Sequence, residues 1–234
     1  MGARQRRRPG AKGRAGLAGL AGLGGALGGA GGAGAIEPTE VEGYLPAAPG
    51  AAGFYEFVPS DKETPAIRAG TIPKYRFWMP GTWRRRTVAN ILSGNYCQPR
   101  CDEPWTEVLF DGKEGSLQIL VAPLSKLRRS SLQGDQAIEA VGTPAGIINA
   151  LGPNITGNTI EDEEVARAES VKIDGRTYYQ YSLETPYAKT GAHQLASISA
   201  KDEAVLLLAL SASEAQWKSS KDDLIKIQES FRVL

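Results

Sequence analysis

The only two cysteines of the 234-residue chain stand in the stretch Cys97-Gln98-Pro99-Arg100-Cys101. Two thiols separated by three residues serve a disulfide, a redox switch, half of a metal site or no chemistry at all, and these five residues do not choose among them. The single histidine, His193, is the one side chain that would make a thiol half of a nucleophile–base pair. It heads an expected strand, and its reading is structural. A zinc site wants about four N, S or O ligands. Cys97, Cys101, His193 and a carboxylate would make up that number, but the C-x3-C spacing is not the usual C-x2-C knuckle and no second pair follows. The run Glu161-Asp162-Glu163-Glu164 concentrates carboxylates. Calcium needs about six to eight oxygens converging from a shaped loop, and the D-x-[DN]-x-[DN]-G pattern is missing, so the run reads as a solvated surface turn. Arg84-Arg85-Arg86 and Arg128-Arg129 are the opposite features, two basic groups suited to an acidic partner surface or simply to solvent. Neither a G-x-S-x-G elbow nor a phosphate-cradling P-loop occurs.

What these groups can do depends on the compartment. Residues 1–35 carry Arg4, Arg6, Arg7, Arg8, Lys12 and Arg14, have no acid, and are mostly Gly, Ala and Leu after Arg14. A basic start, a weakly apolar stretch and Ala33-Gly34-Ala35 form a cleavable export signal, and Arg6-Arg7-Arg8 gives it twin-arginine character. Its glycine content argues against a membrane span. Removal of this segment would leave 199 residues with net charge −5, against +1 for the whole chain. A mildly acidic body argues against nucleic-acid binding. Gly29-x-Gly31-x-x-Gly34 matches a dinucleotide fingerprint only by composition, because no strand precedes it.

Five prolines between residues 36 and 66 predict an extended or weakly ordered N-terminal arm, serving either as a docking arm or as a spacer. A globular pattern follows over 67–234. Residues 106–110 and 116–122 read as strands around a turn-rich link. Thr143-Pro144 predicts a helix start, with Thr as N-cap and Pro in the first turn. Asp174-Gly175 between residues 163–173 and 176–183 predicts a hairpin, since a two-residue type I′ turn needs positive φ. Residues 193–200 and 204–210 predict a second hairpin, and 219–232 a closing helix with Leu224, Ile227 and Phe231 toward one face. Hairpins with helices between and after them predict an α+β fold with a largely antiparallel sheet. The four tryptophans, Trp78, Trp83, Trp105 and Trp217, read as packing residues. No catalytic constellation emerges, which favours a binding or assembly protein over an enzyme.

Several segments in this order resemble the PsbP family, the extrinsic lumenal proteins of photosystem II and their relatives. They are Phe77-Trp78-Met79-Pro80-Gly81-Thr82-Trp83, Trp105 to Phe110, Ser116 to Pro123, Gly142-Thr143-Pro144, Tyr178-Tyr179-Gln180-Tyr181, His193-Gln194-Leu195-Ala196, Trp217, and Glu229 to Val233. The likeness covers residues 67–234. It implies a PsbP-like α/β sandwich, a central antiparallel sheet flanked by helices. It implies a chloroplast address in the thylakoid lumen, for which residues 4–35 fit the second half of a two-part signal. It also implies a peripheral, non-spanning association with photosystem II or another thylakoid complex on its lumenal face, no tightly bound cofactor, and calcium as a candidate ligand. His193 and Glu161 to Glu164 are the weak candidates to hold it.

The chain departs from PsbP itself in its acidic body and in the Asn95–Cys101 segment, and so is similar to the paralogues that serve in assembly. Some of those carry a reducible cysteine pair. With a lumenal address a disulfide is permitted, Pro99 favours a tight turn, and the expectation becomes an oxidised Cys97–Cys101 bridge. Two functions follow as expectations: a non-catalytic accessory protein acting by docking, or a redox-regulated protein in which this bridge controls stability or partner binding.

Overall fold

The computed structural model describes residues 39–62, 64–94, 102–127 and 135–234. The signal expected over 1–35, the pair Cys97 and Cys101, and Arg128 with Arg129 lie outside the described residues. The residues from Glu37 to Leu234 form one compact unit.

In chain order the strands are β1 (Phe54–Phe57), β2 (Tyr75–Pro80), β3 (Arg84–Arg86), β4 (Trp105–Asp111), β5 (Ser116–Pro123), β6 (Val165–Ile173), β7 (Arg176–Glu184), β8 (His193–Lys201), β9 (Ala204–Ala212) and β10 (Arg232–Val233). The helices are α1 (Pro65–Arg68), α2 (Leu124–Leu127), α3 (Ile138–Val141), α4 (Pro144–Thr156) and α5 (Glu214–Ser230). Seven strands form one antiparallel sheet in the order β3-β4-β5-β9-β8-β7-β6. The fold is α+β, as the hairpin pattern predicts.

The middle of that sheet explains the sequence of β9, Ala204-Val205-Leu206-Leu207-Leu208-Ala209-Leu210. A run that is apolar at every position suits a strand covered on both faces. Val205, Leu207 and Ala209 pack on one side with Ile147, Ile148, Leu151 and Ile155 of α4. Leu206, Leu208 and Leu210 pack on the other with Leu224, Ile227 and Phe231 near the end of the chain. Each buried leucine or isoleucine contributes about 1.5–3 kcal/mol. The edge strand β6 is mostly exposed and carries Arg167, Glu169 and Lys172, charges that blunt an edge against further pairing.

Local signals place the elements. Thr143 caps α4, its Oγ1 accepting from the Gly146 amide at 3.2 Å, and Pro144 takes the first turn. The hydroxyls of Tyr179 and Tyr181 on β7 donate to the Gly142 and Pro144 carbonyls at 3.0 and 2.8 Å, fixing that helix start to the sheet. The β6–β7 turn has Asp174 at φ 52° and Gly175 at φ 80°, the two positive values a type I′ turn requires.

The closing helix begins five residues before the expected Ser219. Ser213 and Gln216 form a capping box, each side chain serving the other's backbone N–H, and start α5 at Glu214. From α5, Gln228 Nε2 donates to the carbonyls of Tyr181 and Ala196 at 3.0 and 2.7 Å.

The arm expected over 36–66 is a correction. Within the described residues it is part of the folded body. β1 pairs with β2, and β10 pairs with the other edge of β2, making a three-stranded sheet. Val41 is fully buried, its amide donates to the Trp83 carbonyl at 2.8 Å, and Phe57 packs against Phe77 and Phe110 with ring centroids 5.2 Å away in each case. Pro49 lies in a turn between Val41 and Phe54, and the apolar content of Val41, Phe54 and Phe57 carries the segment inward. The compact unit therefore starts near Glu37 and not at residue 67.

Candidate functional site

His193 opens β8 as expected, and its ring is held on two sides. Nε2 lies 2.6 Å from Glu214 Oε2, and the ring stacks on Trp217 at 4.8 Å with planes 6° apart. Lys221 lies over the same indole at 5.3 Å. Hydrogen bonds from His193 and Lys218 hold the Glu214 carboxyl below the usual glutamate range. This ties the start of α5 to the sheet, the structural role read from the sequence.

Glu161 to Glu164 lie at a 3-10 turn (Asp162–Glu164), and Glu161 and Glu164 are spent in a second capping box, with the Glu161 amide donating to Glu164 Oε2 at 3.0 Å. Among the described residues no group of three or more His, Cys, Asp or Glu is placed to hold a metal ion. His193 is engaged by Glu214, and Glu161 and Glu164 by their own turn.

The arginine triplet forms β3. Arg84 Nη2 pairs with Glu40 Oε1 at 2.9 Å and Arg86 Nη1 with Asp111 Oδ2 at 2.6 Å. Arg85 sits with its guanidinium carbon 5.8 Å from the Phe57 ring centroid. Beside it opens a cleft of about 400 Å³, lined among others by Thr64, Arg85, Arg86, Ser93, Thr106 and Glu107.

The wall of this cleft is made by an irregularity in β4. The β4–β5 register shifts between Thr106 and Val108, so Glu107 is the extra residue of a β-bulge. A bulge re-aims a side chain that strict alternation would send elsewhere. Here it leaves Val108 fully buried and brings Glu107 back against Trp105, whose indole Nε1–H donates to Glu107 Oε2 at 2.9 Å. The other oxygen, Oε1, is buried and has no hydrogen-bond partner among the described residues. Burial pushes the Glu107 carboxyl above its ordinary range, opposed by hydrogen bonds from Thr64 and Trp105 and by the charge of Arg85. Gly94 closes the wall: a Cβ there would stand 2.8 Å from the Trp105 indole nitrogen. Ser93 forms a parallel bridge with Thr106. The sequence shows Arg85 and Glu107 as separate charges, and no local signal marks the bulge that assembles them.

A second buried carboxyl also escapes sequence reading. Trp83, fully buried, donates from Nε1 to Glu114 Oε2 at 2.7 Å, and Glu114 is 3 % exposed. Gly112 is required by the indole, since a Cβ would lie 2.3 Å from it.

A two-faced antiparallel sheet, a helix on each face and a polar cleft at one edge define an α+β sandwich domain. The family model described as PsbP matches residues 71–233, and the chain belongs to the PsbP family. It is 43 % identical over 200 residues, 85 % of this chain and 75 % of the relative, to "PsbP domain-containing protein 6, chloroplastic" of Arabidopsis thaliana. It is 31 % identical over 189 residues, 80 % of this chain and 66 % of the relative, to "PsbP domain-containing protein 4, chloroplastic" of the same plant. Among solved structures, the solution structure of cyanobacterial PsbP (CyanoP) from Synechocystis sp. PCC 6803 superposes with a TM-score of 0.49 at 17 % identity, covering 80 % of this chain and 96 % of that one.

Proposed function

We propose that this chain is a non-catalytic accessory protein of the chloroplast thylakoid lumen, acting by docking on photosystem II or during photosystem assembly. The observation that carries the reading is the family match over residues 71–233, together with relatives named as chloroplastic. The basic, glycine-rich residues 1–35 support a lumenal address. No helix among the described residues is long and apolar enough to cross a membrane, in keeping with a peripheral association. The test is native-gel fractionation of thylakoids followed by affinity pull-down and mass spectrometry. Comigration with a photosystem complex is expected; a protein found wholly in the soluble fraction and with no such complex would overturn the proposal.

A second reading rests on the two cysteines of the chain, Cys97 and Cys101, with three residues between them. In this reading they form a reducible bridge that regulates stability or docking. A loop of five residues constrains the unfolded chain only modestly, so such a bridge is a local brace and not a global staple.

A further inference from the structure

The large sheet ends in β3, of three residues, on one side and in β6, of nine, on the other. Nine extended residues make a template about 30 Å long. The two-residue turn at Asp174 and Gly175 makes Ile173 and Arg176 a hydrogen-bonded pair. Alternation then turns the backbone N–H and C=O of Val171, Glu169 and Arg167 toward β7, and those of Lys172, Ser170 and Ala168 outward. Among the described residues no strand pairs on that outer side. An edge of this kind takes up another strand when the side chains match.

The charges on β6 decide which strand matches. Arg167 and Glu169 stand two positions apart on one face and pair with each other, with 62 % and 42 % of their side chains exposed. Such charges turn away an arbitrary apolar strand. They are complementary to the same strand reversed. When two copies of β6 lie antiparallel about a two-fold axis at Ala168, the outward backbone groups of the two Ala168 residues meet, and each Arg167 faces the Glu169 of the other copy. The four side chains then form a ring of alternating sign, so neither Arg167 gives up the Glu169 of its own strand. Ala168 is exposed and small, which leaves the axis open to close approach. Neighbouring registers lack this match. Centred on Ser170, Arg167 would face Ile173 and Glu169 would face Val171; centred on Ala166, Glu169 would face Glu163. A register centred on Arg167 or Glu169 would set outward backbone groups against inward ones.

We infer that the open edge of β6 is a homodimer interface, where a second copy of this chain adds antiparallel across Ala168 and one continuous sheet runs through both copies. The interface is isologous, each copy giving the same strand. The charges exclude other strands and select this one. The inference stands independently of which complex the protein serves.

The test is sedimentation velocity of the full chain over a range of concentrations. A reversible monomer–dimer equilibrium is expected, weakened by added sodium chloride because the ring of charges is exposed. Arg167→Glu places four acids in the ring and is expected to weaken dimerisation about tenfold or more. Glu169→Arg places four bases there and is expected to do the same. Mixed in equal amounts, these two variants restore alternating sign and are expected to form a heterodimer of near-parental affinity, a result that a merely structural role for either residue would not give. Ala168→Pro removes an outward N–H and leaves the bonds to β7 in place, and is expected to abolish the dimer. If circular dichroism shows that Ala168→Pro does not fold, the two charge variants and their mixture decide the matter, since both residues are exposed. A chain that stays monomeric up to about 1 mM overturns the inference and leaves the edge to a strand of another protein. Parental dimerisation by Arg167→Glu or by a folded Ala168→Pro, or no association in the mixture, would overturn it as well.

Discussion

The Trp83 indole nitrogen and Glu114 Oε2 meet at 2.7 Å across 31 residues of sequence, in a place where solvent reaches neither side chain to any extent. This pair joins the link after β2 to the β4–β5 turn. Its other near charge is Lys113 Nζ, 3.7 Å from Glu114 Oε1. Trp83→Phe keeps an aromatic ring and removes the donor, leaving a buried carboxylate short of a partner. A loss of about 3 kcal/mol in chemical denaturation is expected. Gly112→Ala, which drives a methyl into the same indole, should cost about 1–3 kcal/mol. Unchanged denaturation midpoints for both would show that the pair contributes nothing.

The capping box at Ser213 makes a separate prediction. Its hydroxyl accepts from the Gln216 amide at 3.4 Å while the Ser213 amide donates to Gln216 Oε1 at 2.9 Å. Ser213→Ala should destabilise the domain by about 1 kcal/mol. Ser213→Asp, which can still cap, should restore most of that loss; equal loss in both variants would point to a cause other than capping.

Glu107 gives a pH dependence whose sign is fixed. Its carboxyl is raised from the ordinary 4.5 by burial, so the folded chain holds the proton more tightly than the unfolded chain does. Well below 4.5 both states are protonated and the residue exacts no penalty. As pH rises, the unfolded state releases its proton first and the folded state is progressively disfavoured until Glu107 ionises there too. Glu107→Gln should therefore match the parent in acid and melt higher than the parent at neutral pH. A mutant–parent difference that stays flat across this range would contradict the burial of the carboxyl.

The cysteine pair is tested by reductant. Bridging five residues constrains the unfolded chain by about 2 kcal/mol in the chain-entropy account. An oxidised Cys97–Cys101 bond predicts a lower melting temperature after treatment with a dithiol, and no such change in Cys97→Ser/Cys101→Ser. Identical melting with and without the dithiol in the parent chain would remove the redox reading.

The parts of this fold legible in the sequence are those written in local chemistry. Asp174-Gly175 is a turn because those two residues accept positive φ, and Thr143-Pro144 starts a helix because one caps and the other needs no donor. β9 is central because every residue from Ala204 to Leu210 is apolar. Ser213-x-x-Gln216 was equally local but stood behind the more obvious apolar pattern further along α5. The inward packing of Val41, Phe54 and Phe57 was hidden for a different reason. It depends on β1 finding β2, and proline content masks the few apolar residues that drive the pairing. The cleft was hidden more deeply, since Arg85 and Glu107 are brought together by a bulge that no local sequence signal marks, with Trp105 and Val108 buried on either side of it.

Both outer strands of the small sheet come from the extremes of the folded unit: β1 from its beginning and β10 from the last residues, where Val233 pairs with Tyr75 and its amide donates to the Tyr178 hydroxyl at 2.9 Å. These strands stand about 175 positions apart in sequence, Phe57 to Arg232. Until β10 docks, β2 has one neighbour and an open edge, and the Tyr178 hydroxyl lacks the Val233 amide it accepts. A variant in which β10 cannot pair would keep nearly all of its core and leave the small sheet unsealed.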